Sequence, residues 1–411
     1  MNAIEPTRPV HKKVEPIFYG WIIVLASFLA MFAFGTLNAL GVFIDPLTRE
    51  FGWSKAGLSM AFSIYFVMFT FPAFFMGGIC DRQGIRKVIS IGAALTGAGL
   101  LLCSQVSSLI QLYLYFGIIG FGISTVFVPS TSTIQRWFVK KRGAAIGFAL
   151  TASGFGMFIF SPLTEIFITD FGWRSTFLIY GFFVLTTLLI SSLLFRQKPS
   201  DVGLPPYGCD TPIEPRKSEE TNQQSIRKVL KRKSFWYLFG IMVITHVSYF
   251  MFSVHVVPHA IDLGISGIAA AGALTVAGIF NIPAKIVAGL IFDRFKGANW
   301  LAIFVAIQMI SAFTLIVSND IWLIYFTSAL MGIGYGCWTV VLTVIVSDHF
   351  GTKNLGAIFG LLDSGVGIGG ILGPYFAGYI FDLNGNYYVA FLFAAILMIM
   401  AVLLSILLRK E

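Results

Sequence analysis

The chain of 411 residues is 57% hydrophobic and only 11% charged, with a mean hydropathy of +0.84 and a formal net charge of +9. A water-soluble domain is nearer half apolar and about a quarter charged, so these charges are too few to coat a surface in water, and the chain belongs in a bilayer. The basic surplus then reads as an orientation signal rather than a nucleic-acid footprint, and the four scattered cysteines, Cys80, Cys103, Cys209 and Cys337, give little support to a zinc site or a disulfide framework.

Apolar runs separated by polar breaks predict twelve helical spans, at 18–43, 55–79, 87–107, 109–135, 143–169, 174–195, 235–260, 267–292, 298–318, 321–346, 355–381 and 387–408. Each is about 20 residues or longer, enough to cross ~30 Å of hydrocarbon at ~1.5 Å per residue. The polar tail MNAIEPTRPVHKKVEP is a poor match to a cleaved signal peptide, so the first span is kept as a helix. Between the sixth and seventh spans lies RQKPSDVGLPPYGCDTPIEPRKSEETNQQSIRKVLKRK (196–233), rich in Pro, Ser and charge as a solvated linker is. Its end, SIRKVLKRK, reads either as a short basic helix on an anionic leaflet or as plain linker. The expected organisation is a six-helix bundle over 1–195, a cytoplasmic linker over 196–234 and a second six-helix bundle over 235–411.

Charge placement orients the spans. An even number puts both termini on one side, where Arg8, Lys12, Arg82, Arg86, Arg136, Lys140, Arg294, Lys353 and the linker bases fall, against Arg49, Lys55 and Arg174 opposite. Both termini and the linker are therefore expected in the cytoplasm, in a bacterial inner (plasma) membrane.

The two halves repeat. GGICDRQGIRK begins at Gly77 and GLIFDRFKG at Gly289, an offset of 212 that also links Gly52 to Gly264, Gly120 to Gly332, Gly122 to Gly334, Pro162 to Pro374 and Asp170 to Asp382. Two homologous six-helix bundles related by an axis along the membrane normal suit a secondary transporter that binds its substrate between them. In each repeat the glycines permit close helix approach, and Asp81, Arg82 and Arg86, with Asp293 and Arg294, form a charge cluster suited to latching the bundles in one state. Topology signalling in an ordinary tight loop is the simpler alternative.

GGICDRQGIRK resembles the signature loop of the major facilitator superfamily. FYGWIIV (18–24), REFGWSKAGLS (49–59), RWFVKKRGAAIGFALTASGFG (136–156) and KPSDVGLPPYG (198–208) resemble one branch of it, the monocarboxylate porters and oxalate:formate antiporters. The resemblance implies an all-α membrane protein of the major facilitator fold that moves small carboxylates by proton symport or exchange, without a cofactor. Function as a monomer is expected, with substrate, protons and the lipid bilayer as partners and no nucleic acid.

Lys285 sits inside the apolar run IFNIPAKIVAGLIFDRF, eight residues from Asp293, or about 12 Å from the helix end. A charge at that depth costs at least about 2.5–3.5 kcal/mol unless it faces water or a partner. Asn281 shares its face. In the resembled porters this part of the eighth span carries a cation that binds the substrate carboxylate, usually arginine; lysine supplies a point charge in place of a fork. Asp363 lies at similar depth in the eleventh span, as the proton site, as a structural counter-charge, or as the ligand of an amine on a zwitterionic substrate. The oxalate exchangers carry a second cation in this span and this chain does not, which favours a monoanion over a dianion.

Other polar residues complete the candidate set. His246 either relays protons or donates to a backbone carbonyl. His255 and His259 read as solvated helix-end residues or as an outer gate; Asp262, beside them, lies where the resembled porters often carry an acid. Asn38, Tyr335 and Phe127 are candidates for the cavity wall, the last where relatives often have tyrosine. No Gly-x-x-x-x-Gly-Lys loop, nucleophile–base pair or metal-ligand spacing is present, which argues against an ATP-driven pump and against an enzyme. A non-transporting membrane receptor on the same fold is the alternative of a different class.

Overall fold

The computed structural model describes residues 18–208, 228–294, 299–350 and 355–409. These form α1 (Tyr19–Phe51), α2 (Lys55–Gln83), α3 (Ile85–Cys103), α4 (Leu109–Trp137), α7 (Lys233–Asp262), α8 (Gly267–Arg294), α9 (Asn299–Ile316), α10 (Ile321–Phe350), α11 (Leu355–Asn384) and α12 (Tyr388–Leu408). α5 and α6 are the limbs 142–171 and 173–194 of the stretch Arg142–Leu194, divided where Gly172 leaves helical geometry at φ +79°. Among the described residues ten stretches are long and apolar enough to cross a bilayer; Gly143–Leu194, at 52 residues, is long enough for two crossings, and Trp300–Ile316 is shorter. Each of the twelve predicted spans is helical over most of its described residues. Several run a turn further than hydropathy predicts, because residues such as Asp81 and Arg82 continue the backbone hydrogen bonding past the apolar stretch.

Local chemistry sets the breaks. Ser54 Oγ accepts from Gly57 N at 3.0 Å and opens α2, and Asp320 Oδ1 accepts from Trp322 N at 2.9 Å and opens α10. Gly52 (φ +68°) closes α1 and Gly264 (φ +83°) closes α7 in left-handed geometry. These are one of the pairs related by the offset of 212, so the repeat extends to a shared backbone turn. α1 contains a 3₁₀ segment, Thr36–Phe43, that hydropathy does not signal.

Packing follows the halves of the chain. One buried cluster is built largely from α1–α6, with the Phe43 and Phe177 rings stacked at 4.0 Å. Another, around Trp338, Phe304 and Met398, is built from the C-terminal half. A third crosses between them and joins Val42 and Met157 to Phe252, Val256 and Leu274. Large apolar side chains cover the perimeter, Trp322 at 78% exposed and Ile110 at 71% among them, as hydrocarbon surroundings allow.

The charge cluster of the first repeat is satisfied within its own half. Asp81 pairs with Arg136 of α4, and Arg86 donates to the carbonyls of Phe195 (2.7 Å) and Leu193 (2.6 Å) at the end of α6. Arg82 is exposed. The side chains of Asp293 and Arg294 lie outside the described residues, as do residues 1–17 and most of the linker. The described linker segment returns to the bundle: Tyr207 N donates to Trp137 O at 2.8 Å, Tyr207 O accepts from Val139 N and Lys140 N, and the Tyr207 ring packs on Phe18 and Phe138. Of the basic end of the linker, Val229 packs into the C-terminal core and Arg232 donates to His349 O at 2.9 Å.

Candidate functional site

Two of the seams along which the halves meet are each closed at one end. In the α5–α8 seam, Ser161 Oγ donates to Ala271 O at 2.9 Å and Thr275 Oγ1 to Phe158 O at 3.4 Å. A methyl group added to Gly278 would lie 2.9 Å from Phe158 N, and one added to Gly154 would lie 2.9 Å from the Ile282 side chain. Positions 271, 275, 278 and 282 recur every three to four residues and so share one face of α8. The next position on that face is Lys285. On α5 the corresponding continuation is Gly147 and Gly143, where an added methyl group would meet nothing within 4 Å. The close contact of the seam does not extend to these positions.

The α2–α11 seam has the same form. Asp382 accepts from Lys55 N at 3.0 Å and Ala56 N at 2.8 Å; Ser63 Oγ donates to Ile371 O at 2.6 Å; a methyl on Gly367 would lie 2.5 Å from the Thr70 side chain. One turn further along α11 is Asp363. On α2, Gly77 faces only Val128 of its own half. Lys285 and Asp363 thus each stand one helical step past the last of these close contacts of a seam.

Both are half-buried, and among the described residues neither has a hydrogen-bond or ion-pair partner. The permanent strut between them considered on sequence grounds is not formed. Asn281 holds α8 to α10 by donating to Gly332 O at 3.2 Å, and its side-chain oxygen faces Gly154. Tyr335 stacks on Tyr249 at 3.7 Å, and its hydroxyl lies 3.2 Å from His246 Nε2 and within electrostatic reach of Asp363. His246 Nδ1 lies 2.8 Å from Met242 O. A carbonyl only accepts, so Nδ1 carries the proton and Nε2 accepts from Tyr335. Asn38 is half-buried in the 3₁₀ segment of α1, and Phe127 is exposed where α4 resumes after its break at 124–126.

Asp262 belongs to another cluster, at the closed end. Lys55 Nζ lies 2.6 Å from Asp262 Oδ2, 3.9 Å from Asp45 Oδ1 and 3.9 Å from the centre of the Phe381 ring. Lys55, Asp45 and Asp382 were not singled out from the sequence; the repeat pairing of Asp170 with Asp382 was the available signal. The solvated reading of His255 is wrong. It is fully buried, donating from Nε2 to Pro374 O at 2.8 Å and accepting at Nδ1 from the Tyr387 hydroxyl at 3.2 Å. The partners that make its burial tolerable come from α11 and α12, out of reach of a helix-by-helix reading. His259 is largely enclosed as well, its ring edge-on to Tyr387 and Phe391.

A helical membrane protein in two halves, with two opposite charges that have no partner among the described residues beside the seams between them, has the form of a transporter. The sequence matches the Major Facilitator Superfamily over residues 23–319 and 303–411, and the chain belongs to that family. It is 27% identical over 382 residues to monocarboxylate transporter 13 of Rattus norvegicus, covering 92% of this chain and 86% of that protein. To monocarboxylate transporter 4 of Gallus gallus it is 26% identical over 401 residues, covering 92% and 80%. Among solved structures, the fold is similar to the crystal structure of a D-xylose-proton symporter, with a TM-score of 0.76 at 16% identity over 95% of this chain and 98% of that one. It is likewise similar to a bacterial homolog of the lysosomal transporter Spinster, inward-facing and occupied, with a TM-score of 0.74 at 16% identity over 96% and 97%. The chain is a multi-pass integral membrane transporter and not an enzyme.

Proposed function

We propose that the protein is a secondary active transporter of small organic anions: a proton-coupled symporter of monocarboxylates of the lactate or pyruvate kind, working by alternating access between two pseudo-symmetric six-helix bundles. Lys285 carries the reading. An ammonium at the apex of the proposed opening between the halves, with no protein partner among the described residues, is satisfied by a carboxylate through charge-assisted hydrogen bonds, and the similarity to monocarboxylate transporters supports that substrate class. Asn281, Tyr335, Asn38 and Phe127 complete the proposed binding wall. Asp363, facing the same opening, is the proposed proton site, with His246 and Asp262 as the further candidates. In this reading the basic residues orient both termini and the open end to the cytoplasm, and the functional unit is the monomer.

A second reading rests on the charge balance of the apex. One cation and one acid on opposite seams also suit a zwitterion, its carboxylate on Lys285 and its amine on Asp363. Uptake into proteoliposomes of a panel of C1–C4 acids and amino acids, with and without a pH gradient, tests both. Accumulation of monocarboxylates driven by an inward proton gradient is expected; gradient-independent uptake limited to amino acids would replace the first reading with the second, and strict counter-exchange would make the protein an organic-acid exchanger.

A further inference from the structure

The closed end holds a charge imbalance that the substrate site does not use. Lys55 of α2 is 5% exposed and faces two carboxylates from different elements. Asp262 of α7 takes its ammonium at 2.6 Å, while Asp45 of α1 is left at 3.9 Å. Asp45 is itself only 8% exposed, and its Oδ2 is enclosed without a hydrogen-bond partner among the described residues. An ionised carboxylate accepts on both oxygens, and a buried one without donors carries the desolvation penalty uncompensated. The remaining charged groups that reach Asp45 do not repair this. Arg49, on its own helix, is shared with Glu165 of α5, Asp262 of α7 acts on Asp45 as a second negative charge, and the Tyr387 hydroxyl at the start of α12 is neutral. Asp382 is occupied by the backbone N–H groups of Lys55 and Ala56. His255, on the far side of Lys55, is committed to Pro374 and Tyr387.

We infer that Asp45 is a proton-binding site of the closed seam, taking a proton on Oδ2 when the halves close over it and releasing it when they part. The proton has a route: Asp45, Arg49, Glu165 and Gly267 line a cleft between α1, α5 and the start of α8 at this end. The sign follows from the two environments. In the closed form the carboxylate is enclosed and short of donors, which favours the neutral acid; once the seam opens, water solvates it and the ionised form prevails. Closing therefore takes up a proton, and the closed seam gains as pH falls. Linkage for one proton sets the steepest response at about tenfold in the closed-to-open ratio per pH unit. The inference rests on the proposed parting of the halves but not on the identity of the substrate or on Asp363.

The test is the distance between nitroxide labels on Ser107→Cys and Asn319→Cys, exposed loop positions of the two halves at this end, in a Cys209→Ser background in nanodiscs; Cys80, Cys103 and Cys337 are buried. The short-distance population should grow as pH falls. Asp45→Asn, which copies the neutral acid in shape, should hold it high and flatten the response, while Glu165→Gln keeps the slope. If Asp45→Asn retains the full slope, or the slope disappears in Glu165→Gln instead, the assignment is wrong. A label pair that never moves under any pH or substrate overturns the two-state reading of the halves, and this inference with it.

Discussion

Lys55 and Asp262 meet at 2.6 Å across the seam between the two halves, 207 positions apart in the chain. The lysine side chain is 6% exposed and the aspartate 38%. Closure of this end thus depends on an ion pair with one buried member.

Breaking it from the exposed side leaves the buried charge without its near partner. Asp262→Asn is expected to weaken the closed end by about 1–3 kcal/mol, between the values for an exposed pair and a buried one. The readout is alkylation of Ser59→Cys, at a position that is fully buried beside His255. Labelling should be slow in the parent and at least several-fold faster in the double variant. An unchanged rate would show that Asp45 and the aromatic rings hold Lys55 without Asp262.

Asp382 contributes separately, because its carboxylate sits on the first two N–H groups of α2, where both the missing backbone acceptors and the helix dipole favour an anion. Asp382→Ala should open the same end by about 1–2 kcal/mol, and Asp382→Asn by less, since the amide keeps one acceptor. Equal effects of the two substitutions would remove the charge from the explanation.

Lys285→Gln should leave folding and insertion intact, because no described residue depends on the ammonium. Anion binding should fall by roughly 10- to 100-fold, the loss of a charge-assisted bond of about 1.5–3 kcal/mol. Lys285→Arg should bind while changing substrate preference, since the guanidinium fork fixes the angle of approach. Calorimetric titration with a monocarboxylate checks both, and parent-like affinity in the glutamine variant excludes Lys285 as the anion site.

Asp363→Asn separates the roles open to that residue. As the proton site, its loss should stop accumulation driven by a proton gradient while exchange of labelled for unlabelled substrate persists. As the ligand of an amine, its loss should lower binding of amino acids and spare simple monoanions. Melting temperature is expected to change little, because Asp363 lacks an ion-pair partner among the described residues. Unchanged proton-driven accumulation of a monocarboxylate would exclude it as the coupling residue.

The parts of this molecule that were legible in the sequence are those set by local chemistry. Hydropathy located all twelve spans, because every crossing must be apolar for about 20 residues whatever it packs against, and the offset between Gly52 and Gly264 carried through to matching left-handed turns. Lys285 stood out because a lysine so deep in an apolar run has few structural excuses. The closed-end cluster was not legible, since a lysine at a helix start and an aspartate at a helix end are each unremarkable until the fold joins them. The same limit explains His255, judged by its own helix though its partners Ser59, Pro374 and Tyr387 come from elsewhere in the fold, and Asp81, whose counter-charge Arg136 lies on α4 of the same half. The 3₁₀ segment holding Asn38 left no trace because hydropathy registers side chains and not the winding of the backbone.

The contact of Gly35 with Gly156 has a mechanical consequence. A methyl group on either would stand 2.4–2.5 Å from the Cα of the other, so α1 and α5 touch backbone to backbone. α1 meets α7 through Gly41, and α5 meets α8 through Gly278 and Ile282. The glycine contact, flanked by the Phe28–Phe155 and Phe32–Phe160 ring contacts, joins these two ridges of the N-terminal half directly. In the proposed alternating access, a rotation that parts α5 from α8 would carry α1 against α7 with it, so that the two interfaces would act as a single hinge.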